Sequence, residues 1–165
     1  MCLFLLSILV MAGCTGGSSS QEAKAIELVQ NSKTSYGRVY DVLLEMGANH
    51  IVQKMPSYQS ATDKILIDSK WSSFQADDGN IYVDLKGGTS FIGNYTDYHI
   101  QWVIKGDMNT NNARPYLYAF VMDGVPQTKG MFDTFSVTIL YDLNVINEEE
   151  LAVLGVLMVL NNLLF

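Results

Sequence analysis

Cysteine is nearly absent from this 165-residue chain, and its two copies, Cys2 and Cys14, both stand within the first fourteen residues. The rest of the chain contains no thiol. A disulfide scaffold, a cysteine nucleophile and a thiolate metal site are therefore excluded for any domain that follows Cys14. Such a domain must be held together by packing alone.

Histidine is almost as scarce, with His50 and His99 as its two copies. Neither has a second histidine or an acid at a ligand spacing such as i, i+4 on the same element, so we expect no metal site and no cofactor. The chain also lacks a Gly-x-Ser-x-Gly elbow, a phosphate loop, a dinucleotide fingerprint and a His-Glu-x-x-His motif. Because most hydrolytic mechanisms need a base, these shortages favour binding over catalysis.

Basic residues are few and scattered: ten Lys and Arg stand against seventeen Asp and Glu, which gives a net charge of -7. Without a basic cluster, nucleic acid is not an expected partner, and neither is an anionic lipid surface held by charge. A hydrophobic fraction of 48% is enough for a sizeable core in one ordinary domain.

The N-terminal segment carries a targeting pattern. Residues 3–11 are apolar apart from Ser7, and this run is too short to span a bilayer. Ala12-Gly13-Cys14 follows, and this order of small residues before a cysteine resembles the signal peptides of bacterial lipoproteins. The resemblance implies a signal peptide over residues 1–13 and acyl chains on Cys14. It also implies a lipid-anchored protein of the cell envelope, on the periplasmic side or the outer cell surface.

A tether follows the proposed anchor. Residues 14–20, rich in Gly and Ser, have the composition of a flexible linker, and two or three acyl chains would hold the protein stably on a membrane. Signal peptides open with a basic residue, however, and none stands before Lys24. Two alternatives therefore remain open: a start upstream of Met1, or a buried N-terminal helix with an incidental cysteine.

Residues 21–142 are predicted to form a single α+β domain. Apolar residues recur at helical spacing in the first part, and the predicted helices are 21–33, 36–53 with Ser35 as its cap, and 60–69. Alternation with period two follows, and the predicted strands are 71–75, 80–86, 98–105 and 115–122. Turn residues lie at 77–80, 87–88 and 109–112, while 89–95 is either a short strand or a wide loop. We expect a four-stranded antiparallel meander with helices packed on one face.

The C-terminal part is less regular. Residues 128–142 favour a helix, although Val137-Thr138-Ile139 also suits a strand. Residues 143–165 form an apolar tail in which Asn147 can cap a final helix. That helix is too short for a transmembrane span, so it is buried, lies at a membrane surface or forms an oligomer seam.

A family resemblance covers residues 22–141. Lys70 to Gly87 includes Trp71-x-x-Phe74, an Asp78-Gly79 turn and a strand that ends in Gly, and it precedes Ile100 to Ile104 and Gly124-Val125-Pro126. This order is similar to a small α+β domain of bacterial secreted proteins and lipoproteins. The resemblance implies a fold but no reaction, because no activity is associated with that domain.

Strand alternation places polar side chains on one face of the predicted sheet and apolar ones on the other. The polar face and the aromatic-rich segment 91–98 give a candidate binding surface: Tyr82, Asp84, Lys86, Tyr95, His99, Gln101 and Lys105. The simpler alternative is a solvated sheet face.

Three functions follow from these patterns. The first is a membrane-anchored binding domain with an envelope protein as one candidate partner. The second is an envelope hydrolase in which His99 is the base and meets an acid such as Asp84. The third is a structural lipoprotein that oligomerises through its tail.

Overall fold

A computed structural model of the chain describes residues 20–91, 94–110 and 112–164. The predicted signal peptide 1–13, Cys14 and the tether as far as residue 19 lie outside the described residues, so lipidation stays a prediction. The described α-helices are α1 (Ser20–Asn31), α2 (Arg38–Glu45), α3 (Asn49–Lys54), α4 (Tyr58–Ile65), α5 (Lys129–Asp142) and α6 (Glu148–Leu164), with a 3₁₀ helix, Lys33–Tyr36, between the first two.

The described strands form one antiparallel sheet in chain order. They are β1 (Ile67–Gln75), β2 (Ile81–Phe91), β3 (Asn94–Lys105), β4 (Arg114–Met122) and β5 (Val125–Pro126). The α+β class is therefore confirmed, but the count of four strands is wrong by one. The extra strand has two residues, paired with Val121 and Met122, and is too short to show an alternating pattern.

The predicted helix 36–53 is two helices. Gly47 adopts a φ of 70°, a left-handed conformation that ends α2 and that glycine reaches at no steric cost. Ser35 is not the cap either, because it belongs to the 3₁₀ helix and its hydroxyl donates to the Val29 carbonyl. The helix α2 begins instead after Gly37, whose φ is 67°.

The predicted helix 60–69 is displaced by about one turn. Ser57 is the cap, because its hydroxyl accepts from the Ser60 N–H at 3.2 Å, and α4 therefore begins at Tyr58. It ends at Ile65, and β1 already begins at Ile67. Helix boundaries of this kind depend on which of several neighbouring serines caps the first turn.

The Gly87-Gly88 pair lies inside β2 and does not form the predicted turn. β2 continues to Phe91 and β3 begins at Asn94. The aromatic-rich segment 91–98 therefore lies mostly within the two strands of a long hairpin. A Cβ atom at Gly88 would lie 2.2 Å from the ring of Tyr95. Glycine is therefore required here by a close side chain and not by a turn.

One face of the sheet, the inner face, packs on the helices and forms the core. Ile81, Val83 and Leu85 of β2 are buried, as the alternation predicts, and so are Ile100, Trp102 and Ile104 of β3. The Trp102 ring lies against Tyr58, Trp71 and Phe132, with ring centroids 5.2, 5.9 and 6.4 Å away. Its indole N–H donates to the Ser35 carbonyl at 3.3 Å, which joins the sheet to the segment that connects α1 with α2.

The C-terminal helices follow the prediction. Residues 129–142 are helical, with Thr128 accepting from the Met131 N–H. At α6, Asn147 accepts from the Glu150 N–H at 2.9 Å while Glu150 accepts from the Asn147 N–H at 2.8 Å, a reciprocal cap. Leu154 and Met158 are buried, whereas Val153 and Val156 are exposed. Within the described ranges, none of the helices combines the length and apolar character needed to cross a membrane.

Candidate functional site

The opposite face of the sheet, the outer face, carries all seven predicted surface residues. Residues of β2 and β3 that stand opposite one another share a face, and the pairs Asp84↔Gln101 and Lys86↔His99 lie on this one. Every second residue along each strand points to the same face. The outer face therefore brings together Tyr82, Asp84, Lys86, Tyr95, His99, Gln101 and Lys105.

An aromatic row crosses the outer face from β1 to β4; we use this name for Phe74, Tyr82, Tyr116 and Tyr118. Phe74 stacks on Tyr82 with ring centroids 5.4 Å apart, and Tyr82 meets Tyr118 edge to face at 5.0 Å. Tyr118 follows Tyr116 on this face by alternation, and a bulge opposite Gln101 and Trp102 then turns Phe120 to the inner face. Phe74, Tyr116 and Tyr118 remain 43%, 53% and 60% exposed, so these rings form an open surface.

A hydrogen-bonded polar group lies beside the aromatic row. Asp84 Oδ1 accepts from Gln101 Nε2 at 2.8 Å and lies 2.9 Å from His99 Nε2. Asp84 is 9% exposed, whereas the side chain of His99 retains 36%. The contact that the hydrolase hypothesis predicts is therefore present, but it lies on an open sheet face.

Tyr95 lies further along the hairpin and covers the backbone of Gly88. Its hydroxyl also bonds to Asp97, and the desolvation of the ring together with this carboxylate raises the pKa of Tyr95. Tyr95 is still 53% exposed. It therefore has a packing role and also contributes to the surface.

Basic side chains stand in directly opposed pairs on the outer face. Lys70 of β1 faces Lys86 of β2, and Lys105 of β3 faces Arg114 of β4. Like charges that face each other across strands destabilise a sheet. Four of the ten basic residues of the chain thus lie on this one face, although the chain as a whole is strongly acidic.

The acidic strand positions on or beside the outer face are Asp84, Asp97 and Asp68, of which Asp68 lies in β1 close enough to act on Tyr95. Asp78, in the turn before β2, lies close by, but its carboxylate accepts from the side chain and the backbone of Asn80 and from Tyr82. These hydrogen bonds, the one from the Asn80 side chain first, lower the pKa of Asp78.

Beyond the outer face, Arg114 and Tyr116 line a cavity of about 250 Å³ at the edge of β4. Arg38, Asp41, Lys129 and Asp133 line it from the helical side. Asp133 is 2% exposed and accepts from the Arg38 backbone N–H, while its Oδ2 has no hydrogen-bond partner. Burial raises the pKa of the Asp133 carboxyl to about 6 despite the nearby cations.

Sequence reasoning missed Phe74, Tyr116 and Tyr118. The signal was available in part, because alternation in β1 and β4 follows the same rule that gave the faces of β2 and β3. The register between strands and the bulge at Tyr118 are set by packing, and alternation within one strand does not specify either.

Searches with this chain against protein-family models, curated proteins and solved structures found no match. Among the residues that the structure describes, no group of three or more His, Cys, Asp or Glu side chains is arranged to hold a metal ion.

Proposed function

We propose that this protein is a lipid-anchored lipoprotein of the bacterial cell envelope whose domain binds a partner through the outer face of its sheet. The anchor is Cys14, and the tether holds the domain away from the membrane. The resemblance of residues 22–141 to a domain of secreted proteins and lipoproteins supports the same location.

The observation that carries the binding role is the exposed aromatic row. Contiguous exposed apolar patches mark interaction sites, and Tyr is enriched where proteins meet their partners. Here three rings are more than 40% exposed on one sheet face. The polar group of Asp84, His99 and Gln101 next to them supplies hydrogen-bonding groups in fixed positions.

Site-specific photo-crosslinking in the producing cell tests this role. We would place p-benzoylphenylalanine at position 118 of the full chain and, as a control, at position 156, since Val156 of α6 is also 60% exposed. We expect an adduct from position 118 that disappears when Phe74 and Tyr116 are both changed to Ala. Equal adducts from both positions, or none from 118, would show that the outer face is not the binding surface.

The anchor is tested separately by mass spectrometry of the mature N-terminus. Acyl chains on Cys14 are expected, and Cys14→Ser should release the protein from the membrane fraction. An unmodified cysteine in a protein that retains residues 1–13 would contradict the lipoprotein assignment.

One observation favours a second candidate, an envelope hydrolase, namely the 2.9 Å contact between His99 and Asp84. A base held by a carboxylate is a common catalytic arrangement. Hydrolysis of an ester or glycoside that is abolished by His99→Gln would support it. If the full chain is inactive on such a panel, the hydrolase is rejected.

A further inference from the structure

The outer face has a charge pattern that a general binding surface does not require. Its two basic pairs, Lys70 with Lys86 and Lys105 with Arg114, stand at opposite ends of the aromatic row and the polar group. Each pair opposes like charges across strands, which costs stability. An anionic ligand would offset that cost at both ends.

The distance between the basic pairs limits the ligand. Asn80 stands immediately before β2 and is six positions from Lys86, and Lys105 donates to the Asn80 side chain. The pairs are therefore about 20 Å apart at a strand rise of about 3.4 Å per residue. The aromatic row and Asp84 lie between them. A small molecule therefore cannot reach both pairs, and the span fits an extended polymer.

Asp84 excludes a densely charged polymer. Its carboxylate is held in place by Gln101 and His99 between the two basic pairs. A polyacidic polypeptide carries a charge on every residue and a single nucleic acid strand carries one on every nucleotide, so either would bring anions against this carboxylate. A polymer with neutral, hydroxyl-bearing units between its charges would not, and its hydroxyl groups could donate to Asp84.

We propose that the outer face binds an acidic polysaccharide, with sugar rings on the aromatic row and separate anionic groups at the two basic pairs. This inference rests on the proposed function, because it names the ligand of the same surface. Arg38 and Lys129 lie beyond Arg114 in the cavity at the edge of β4, which Asp41 and Asp133 also line. Neutral sugar units contact the rings through their apolar faces, while the cations select for charge.

Binding of defined polysaccharides to the full chain in detergent micelles tests the inference. The probes are polygalacturonate, alginate and hyaluronate, each compared with its carboxyl-reduced form, together with polyglutamate and single-stranded oligo(dT). We expect at least one acidic polysaccharide to bind, about tenfold more tightly than its reduced form, as two surface ion contacts would give. Polyglutamate and oligo(dT) should bind more weakly than that polysaccharide.

Two double variants separate the contribution of the aromatic rings to binding from that of the basic side chains. The double change Phe74→Ala and Tyr118→Ala should lower the affinity for the acidic and the reduced polymer equally, by about tenfold for two aromatic contacts. The double change Lys105→Gln and Arg114→Gln should lower the affinity for the acidic polymer and leave the affinity for the reduced polymer unchanged. Lys64→Gln on α4 and Val156→Ala on α6 are the matched controls and should bind as the native chain does. Circular dichroism of every variant checks that it is folded.

The results that would overturn the inference can be told apart. Polyglutamate binding as tight as the polysaccharide would point to an acidic protein partner, and preference for oligo(dT) would point to nucleic acid; either overturns the inference. If the carboxyl-reduced polymers bind as tightly as the acidic ones, charge has no role in recognition and the inference is overturned. If none of the acidic polysaccharides binds while crosslinks from position 118 persist, this inference fails and the proposed function stands. If the crosslinks are absent too, the proposed function itself fails.

Discussion

The carboxylate of Asp133 on α5 accepts a hydrogen bond from the backbone N–H of Arg38, at the first turn of α2. The residue before that turn is Gly37, which has no side chain to act as a cap. A Cβ at Gly37 would lie 3.0 Å from the Phe132 ring and 3.2 Å from Asp133 Oδ1. A carboxylate from a distant helix thus caps α2 because the local backbone leaves no room for a capping side chain.

This contact makes stability depend on pH. Burial raises the pKa of Asp133 to about 6, so between about pH 4 and pH 6 the folded protein holds a proton that the unfolded chain has lost. The stability contributed by Asp133 is therefore fully present near pH 4 and is lost as the pH rises through 6. Glu150 acts in the opposite direction, because the hydrogen bond from the Asn147 backbone lowers its pKa.

We expect Asp133→Asn to remove the contribution of this carboxyl. The amide oxygen still accepts from the Arg38 N–H but carries no charge, so the variant should gain roughly 1–2 kcal/mol over the native chain at pH 7.5, after allowance for screening by cavity water. At pH 4.5 the difference should shrink to about a third of that value. Urea unfolding at both pH values measures this, and Asp142→Asn, an exposed acid on the same helix, is the control. A difference that does not change with pH would contradict the assignment.

Trp102 gives a prediction about the core. It is fully buried among three aromatic rings, and its N–H reaches the Ser35 carbonyl. Trp102→Phe leaves a cavity and an unsatisfied carbonyl, and we expect a loss of about 2–3 kcal/mol in the free energy of unfolding. Tyr118→Phe, on the outer face, should change it by less than about 0.5 kcal/mol. Equal losses in chemical denaturation would mean that Trp102 is not central to the core.

The inner face illustrates what a single sequence can predict. Alternation in β2 and β3 identified Val83, Leu85, Ile100 and Trp102 as core residues, because one buried sheet face imposes period two directly on the chain. The same alternation placed Tyr82, Asp84, His99 and Gln101 on the other face. Their location on one face was therefore predictable before the pairing of the strands was known.

The Gly88 and Tyr118 positions illustrate the limit. Gly88 was predicted to lie in a turn because glycine is common in turns. Its role is instead to make room for the Tyr95 ring, seven residues further along the chain. Alternation places Tyr118 on the face of Tyr116, but the bulge at Tyr118 turns Phe120 to the inner face. The room at Gly88 and the bulge at Tyr118 depend on contacts between strands, and no local pattern in one strand encodes them. The position of Arg38 and Lys129 beside the basic end of the candidate site depends in turn on how the helices pack.

The contact between Tyr95 and Gly88 can be measured with a double-mutant cycle. Gly88→Ala must displace the Tyr95 ring, and Tyr95→Ala uncovers the Gly88 backbone, so each change should destabilise the sheet by about 1 kcal/mol. In the double variant the methyl group meets no ring, and we expect the two losses to be non-additive by roughly 0.5–1 kcal/mol. Strict additivity in urea unfolding would show that the two residues do not interact.

The opposed lysines on β1 and β2 connect stability with the proposed binding role. Lys70→Glu replaces a like-charge pair by an attractive one opposite Lys86, so we expect the protein to gain about 0.5 kcal/mol at low salt. The gain should shrink at 1 M salt, because exposed charges are then screened. The same variant should bind the acidic polysaccharide less tightly, since one end of its site has lost a cation. Lys64→Glu, away from the sheet, should change neither quantity. Greater stability with undiminished binding would separate the Lys70–Lys86 pair from ligand recognition, whereas the two opposite changes together would explain why the unfavourable pair is present.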